Sequence, residues 1–158
     1  MKPRVYIETT VVSYYTGRPS RDLVTAAHQQ LTRDWWEERL PILGGCISEL
    51  VLTEASQGDK QAARLRMDAL EKLPILEPGK DSVSLTNLMV ESSLVPGEYV
   101  NDALHVAIAA VNGIEFLVTW NCKHLANATI RTRLESLIED YGYESPVICT
   151  PEELMEEV

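Results

Sequence analysis

Short apolar runs alternate with longer stretches of helical periodicity along the whole chain. Val5-Tyr6-Ile7 is a β-prone run near the start, closed by Glu8. Thr9 and Thr10 are placed to cap a helix through Val11, Val12, Tyr14 and Tyr15, which Gly17-Arg18-Pro19-Ser20 breaks. Leu23, Val24, Ala27, Leu31 and Trp35 recur at helical spacing and predict a long helix from about 21 to 39, stopped by Pro41. Residues 42–47 read as a second strand despite Gly44-Gly45, which leave room for close backbone approach. Ser48 is a good N-cap for a helix over 49–56, and Gly58 terminates it.

The pattern repeats in the second half. A helix over 60–72 carries Ala62, Leu65, Ala69, Leu70 and Leu73 along one side, and 74–77 reads as a short strand. A helix over 81–92 is followed by a loop at Val95-Pro96-Gly97. Asn101 or Asp102 then opens an apolar helix ending near Asn112-Gly113. Phe116-Leu117-Val118-Thr119 is the most strand-like run of all. An amphipathic helix over 129–141, a strand at Val147-Ile148-Cys149 and a terminal helix with Pro151 at its first position complete the chain. Strands alternating with helices predict an α/β fold, with a central parallel sheet and helices on both faces in three α/β/α layers. No repeat, linker or shift of composition divides the 158 residues, so one domain over 1–158 is expected.

Composition narrows the function. Hydrophobic residues make up 45% of the chain, enough for a real core. No apolar run approaches the roughly 18 residues of a membrane span, and Met1-Lys2-Pro3-Arg4 runs straight into a strand without a signal peptide, so a cytoplasmic protein is expected. The three cysteines, Cys46, Cys122 and Cys149, are widely spaced without a CxxC pair, which argues against thiolate metal ligation. Cys46 and Cys149 lie in apolar runs and read as small core residues. The net charge of −10 argues against a broad basic nucleic-acid surface and suits a basic partner. Four glutamates of the tail 151–157 contribute to it.

Four polar stretches sit where an apolar run ends or a helix begins: Glu8-Thr9-Thr10, Leu52-Thr53-Glu54, Asn101-Asp102-Ala103-Leu104-His105 and Thr119-Trp120-Asn121. Three supply a carboxylate and the fourth an amide. In open parallel sheets ligands bind beyond the C-terminal strand edge, where Glu8 and Asn121 belong. Asp102 lies in a helix's first turn, favoured there by the dipole, whereas Glu54 reaches the site only if its helix crosses the strand edge. Clustered carboxylates repel one another unless a cation is present, and Mg²⁺ or Mn²⁺ suits oxygen ligands with substrate phosphate completing the shell. Such an ion activates water and offsets charge on a phosphate under attack.

The order and wording of these stretches resemble the PIN-domain family, and within it the VapC-like toxins of bacterial toxin–antitoxin pairs. The resemblance rests on Tyr6-Ile7-Glu8-Thr9-Thr10, Ser48-Glu49-Leu50-Val51-Leu52-Thr53-Glu54, Asp102-Ala103-Leu104-His105-Val106-Ala107 and Val118-Thr119-Trp120-Asn121. It covers nearly the whole chain, and the last two motifs are the most specific. It implies Mg²⁺- or Mn²⁺-dependent cleavage of RNA and an antitoxin partner; a homodimer is expected beside them. It also implies Glu8, Glu54 and Asp102 as metal ligands, with Asn121 completing the catalytic set. Two residues depart from the family pattern: Glu8 and Asn121 each stand where an aspartate is usual, and the second change removes a negative charge.

Plainer roles stand beside these. Glu8 would also cap the following helix, Glu49 competes with Glu54, and Asp102 suits any helix N-terminus. His105 reads as a hydrogen-bonded core histidine. Thr9, Thr10 and Thr119 are placed to orient ligands or water, and His124, with Lys123, to touch phosphate. One aromatic of each pair, Tyr14-Tyr15 and Trp35-Trp36, is expected in the core, leaving the other for a dimer or antitoxin contact. The expected function is a metal-dependent endoribonuclease. A catalytically weak or inactive PIN-fold binding module and a phosphatase of small phosphate esters are the alternatives.

Overall fold

The run Arg4–Ile7 forms strand β1, and its Val5, Tyr6 and Ile7 are all buried. A strand covered on both faces has no solvent side, so its sequence is continuously apolar rather than alternating. In the computed structural model, which describes residues 2–156, β1 is the middle strand of a five-stranded, all-parallel sheet. Met1, and Glu157 at the end of the acidic tail, lie outside the described residues. The other strands are β2 (Gly44–Ser48), β3 (Ile75–Leu76), β4 (Phe116–Val118) and β5 (Val147–Cys149), in the order β3-β2-β1-β4-β5. Tyr6 aligns with Cys46 on one side and Leu117 on the other.

Seven α-helices connect the described strands: α1 (Thr9–Thr16), α2 (Leu23–Asp34), α3 (Glu49–Ala55), α4 (Lys60–Leu70), α5 (Gly79–Glu91), α6 (Val100–Val111) and α7 (Ala128–Asp140). Helix α1 packs on α2, α3 and α4, while α5 packs on α6 and α7. The chain winds outward from β1 through β2 to β3, then crosses back to β4 and β5. The strand order therefore reverses between β1 and β4. Parallel sheets bind ligands at such a reversal, beyond the C-terminal strand ends, because the connecting chains leave in opposite directions and open a crevice. Glu8 follows β1, and Thr119 and Asn121 follow β4, so both sides of this crevice carry polar residues.

The fold matches the α/β/α expectation, with local adjustments. The long helix expected over 21–39 is α helical to Asp34. It then widens into a π turn (Trp35–Arg39), with Leu40 N–H reaching Trp35 O, and tightens into a 3₁₀ turn (Leu40–Ile42). Gly45 explains why glycine sits inside β2: a Cβ there would lie 2.6 Å from Leu40 Cδ1. The apolar helix of the second half opens at Val100, with Tyr99 rather than Asn101 at its cap. The terminal helix is a 3₁₀ turn, Pro151–Leu154. Cys46 and Cys149 are buried, and burial pushes their thiols up to about 11 and about 12, which leaves them unreactive core residues.

Leu117, wholly buried in β4, anchors the strand that forms one wall of the crevice. Leu117→Ala is expected to cost about 2–5 kcal/mol through lost burial and a residual cavity. Urea unfolding should show a lower midpoint with an unchanged slope.

Candidate functional site

Glu8 is 4% exposed, and an ionised carboxylate so deeply buried must be satisfied by donors. It has three. Oε2 accepts the Thr10 backbone N–H at 3.1 Å, which makes Glu8 the cap of α1. Oε1 accepts the hydroxyls of Thr10 and, at 2.6 Å, Thr119. Each hydroxyl is itself held by the chain after β4: Trp120 N–H donates to Thr10 Oγ1 at 2.8 Å and Asn121 N–H to Thr119 Oγ1 at 2.9 Å. Two short relays thus run from the β4 loop through threonines into one carboxylate. The plainer capping role for Glu8 is fulfilled, and it coexists with a place in the crevice.

Glu54 reaches the same crevice because α3 crosses the strand edge. Its Oε1 accepts Thr9 Oγ1–H and bonds His105 Nε2, both at 2.6 Å. His105 is fully buried, and its Nδ1 lies 2.6 Å from the Tyr6 hydroxyl, which lies 2.7 Å from Ser48 Oγ. With Glu54 ionised and the imidazole neutral, these bonds run one way: Ser48 donates to Tyr6, Tyr6 to His105 and His105 to Glu54. Burial first, then the neighbouring Glu8 and Glu54 charges, drives the Tyr6 phenol far above its ordinary range, so it stays a neutral donor. For Glu54, burial pushes the carboxyl up, but the hydrogen bonds from His105 and from the Thr9 hydroxyl outweigh it and hold the group below its ordinary range.

The carboxylate oxygens of Glu8 and Glu54 and a ring nitrogen of His105 all lie within 4.8 Å of one another. Among the described residues this is the one His/Cys/Asp/Glu cluster of metal-ligand geometry. Asp102 stands outside it. It sits one helical turn before His105 on α6, and its Oδ2 bonds His124 Nδ1 at 3.0 Å. Asn121 turns its amide oxygen to the His124 backbone N–H at 3.0 Å, closing the loop after β4. Two of the expected ligands therefore converge, and a histidine read as a core residue takes the third place. Ser48 heads α3 as expected, but its side chain makes no cap bond and serves Tyr6 instead. Thr9 and Thr10 likewise bond carboxylates across the crevice, on Glu54 and Glu8.

The donor set fits a divalent cation. Two carboxylates supply hard oxygens, and the hydrogen bonds leave Glu54 Oε2 and Asp102 Oδ1 without partners among the described residues. An imidazole beside them suits Mn²⁺ better than Mg²⁺, which prefers oxygen alone. To ligate, His105 would take the other tautomer, giving up the Nε2–H that it donates to Glu54 and donating Nδ1–H to Tyr6, which would then orient the ring from behind. Sequence reasoning missed Tyr6 because its neighbours mark the strand as core. The one available signal was a hydroxyl-bearing ring in an otherwise aliphatic run.

Two outcomes test this network. Tyr6→Phe strips the buried His105 Nδ1 of its donor and should destabilise the fold by about 1–3 kcal/mol in chemical denaturation. Glu54 has a folded pKa below its unfolded one, so its contribution is present above its ordinary value of 4.5 and disappears as pH falls through the folded value. The stability gap between wild type and Glu54→Gln should therefore narrow as pH drops from 6 to 3, measured by thermal melts across that range.

Neither a protein-family model nor a curated protein matches the chain. A solved structure does. A chain of VapBC2 from Rickettsia felis, determined bound to a DNA fragment from their promoter, superposes with a TM-score of 0.51. The two are 17% identical, and the match covers 92% of this chain and 96% of the other. At that identity the likeness is one of fold.

Proposed function

We propose that the protein is a metal-dependent endoribonuclease of PIN type, working as the toxin of a toxin–antitoxin pair. One observation carries the reading: Glu8, buried, and Glu54, half-buried, are distant in sequence yet bring carboxylate oxygens within 4.8 Å of each other and of His105 at the strand-order reversal. A fold shared with a chain of a VapBC2 complex supports the toxin assignment.

In this reading Glu8 and Glu54 hold Mn²⁺ or Mg²⁺, with His105 or Asp102 beside them. The bound ion supplies positive charge against the negative charge that develops on a phosphodiester attacked by water. The chain's own residues do the rest. Thr10 and Thr119 fix the Glu8 carboxylate, and Thr9 and His105 fix Glu54, so neither has to reorganise when substrate arrives. Asp102, oriented by His124, and the loop closed by Asn121 line the mouth where RNA enters. The net charge of −10 leaves phosphate binding to the ion and to a few local cations, and it suits a basic antitoxin segment. A cytoplasmic homodimer belongs to the same proposal. No helix among the described residues is long and apolar enough to cross a membrane.

A specific observation favours a second reading, a PIN-fold binding module of weak activity. The Asn121 amide oxygen is occupied by the loop's own backbone, so it adds neither charge nor a free ligand.

Purified protein with Mn²⁺ should cut single-stranded RNA, and EDTA should stop it. Glu54→Gln and Asp102→Asn should each lower kcat by about 100-fold or more. Equal cleavage by both variants would place the activity elsewhere. Calorimetry showing no Mn²⁺ binding would favour the second reading.

A further inference from the structure

Beyond His124, the partner of Asp102, lies a cluster not described so far. Tyr99 ends the 3₁₀ turn Gly97–Tyr99 and caps α6, yet its ring is 39% exposed. The His124 imidazole lies against it, centroids 4.2 Å apart and planes tilted by 40°. Lys123 Nζ lies 5.9 Å from the same ring centre. Val100, the next residue, is also exposed. His124 holds Asp102, and Asp102 precedes His105 by one turn of α6, so this ring stands at the mouth of the Glu8–Glu54 crevice.

We infer that Tyr99, with Lys123 and His124, forms a seat for one base and its phosphate from single-stranded RNA. This rests on the nuclease reading above and deepens it. A partly exposed aromatic ring beside an ammonium and an imidazole matches the two parts of a nucleotide: a flat base that stacks and an anion that pairs. Stacking does not depend on net charge, and a chain of charge −10 needs such a contact to hold a polyanion. Lys123 is exposed on a flexible stem and can leave the ring for a phosphate when a base takes its place. The stacked partner must be unpaired, because a base inside a duplex has no free face.

The test separates binding from cleavage. Anisotropy of a labelled single-stranded RNA octamer, measured in EDTA, reads affinity without turnover. Tyr99→Leu should weaken binding by about five- to a hundred-fold, the range of base–aromatic stacking, and Tyr99→Phe should bind like wild type. Lys123→Gln should flatten the dependence of log affinity on log salt by about 0.7, one phosphate contact on a single strand. Tyr141→Ala, which removes an equally exposed tyrosine at the C-cap of α7, is the control that leaves affinity unchanged. With Mn²⁺ present, the loss in Tyr99→Leu should fall on KM more than on kcat. Unchanged RNA affinity in Tyr99→Leu overturns the seat and leaves the ring to a protein contact, as does Tyr99→Phe losing as much as Tyr99→Leu. Cleavage by wild type with KM indifferent to Tyr99 sinks the seat alone. Tyr99-dependent binding without cleavage sinks the nuclease alone.

Discussion

The carboxylate of Glu8 joins the two halves of the molecule. It leaves β1, folds back to cap α1 and receives two threonine hydroxyls that are themselves held by the backbone after β4. Hydrogen bonds to a charged acceptor are among the stronger ones in a protein, and a buried carboxylate cannot be left short of them. The demand for donors at one atom therefore fixes how the β4 loop lies across the β1 edge. It adds to the backbone pairing of the two strands, which ends with Glu8 N–H donating to Val118 O at 3.0 Å. The Glu8 side chain reaches both its own helix start and Thr119.

A second chain of bonds does the same for Glu54. Ser48, Tyr6, His105 and Glu54 come from β2, β1, α6 and α3, and every link is about 2.6–2.7 Å long. Two carboxylates standing this close would repel one another in the absence of a cation. Here five donor groups surround them, from Thr9, Thr10, Thr119 and His105, so the crevice is organised before any ion arrives. That organisation costs affinity for a cation, because bonds already made must be kept or exchanged, and it favours rigidity of the ligands once bound.

Much of the fold was legible along the chain. Strand and helix positions follow from apolar runs and periodicity, and they agree closely at Val147–Cys149 and within a residue or two along the helix now α7. The departures have physical causes. The long second helix gives way to a π turn, and Trp35 and Leu40 at its two ends are both buried. The position of Ser48 predicts a cap, but Tyr6 competes for its hydroxyl. His105 was read as a core histidine, and it is one, yet the same buried ring belongs to the carboxylate cluster.

Composition, periodicity and turn residues by themselves determined a parallel α/β chain with acids at strand ends and helix starts. Those signals are local: a cap, a strand end or an apolar face depends on neighbours a few residues away. Which acids meet was decided by the tertiary structure alone. Tyr6 and His105 are separated by 99 residues, and Thr119 and Glu8 by 111, so their contacts depend on strand order and register. Winding outward from β1 and crossing back to β4 sets Glu8 beside Thr119, and the crossing of α3 over the strand edge sets Glu54 beside His105. Asp102, equally plausible in sequence, faces His124 instead, because its place in the first turn of α6 turns it toward the loop after β4.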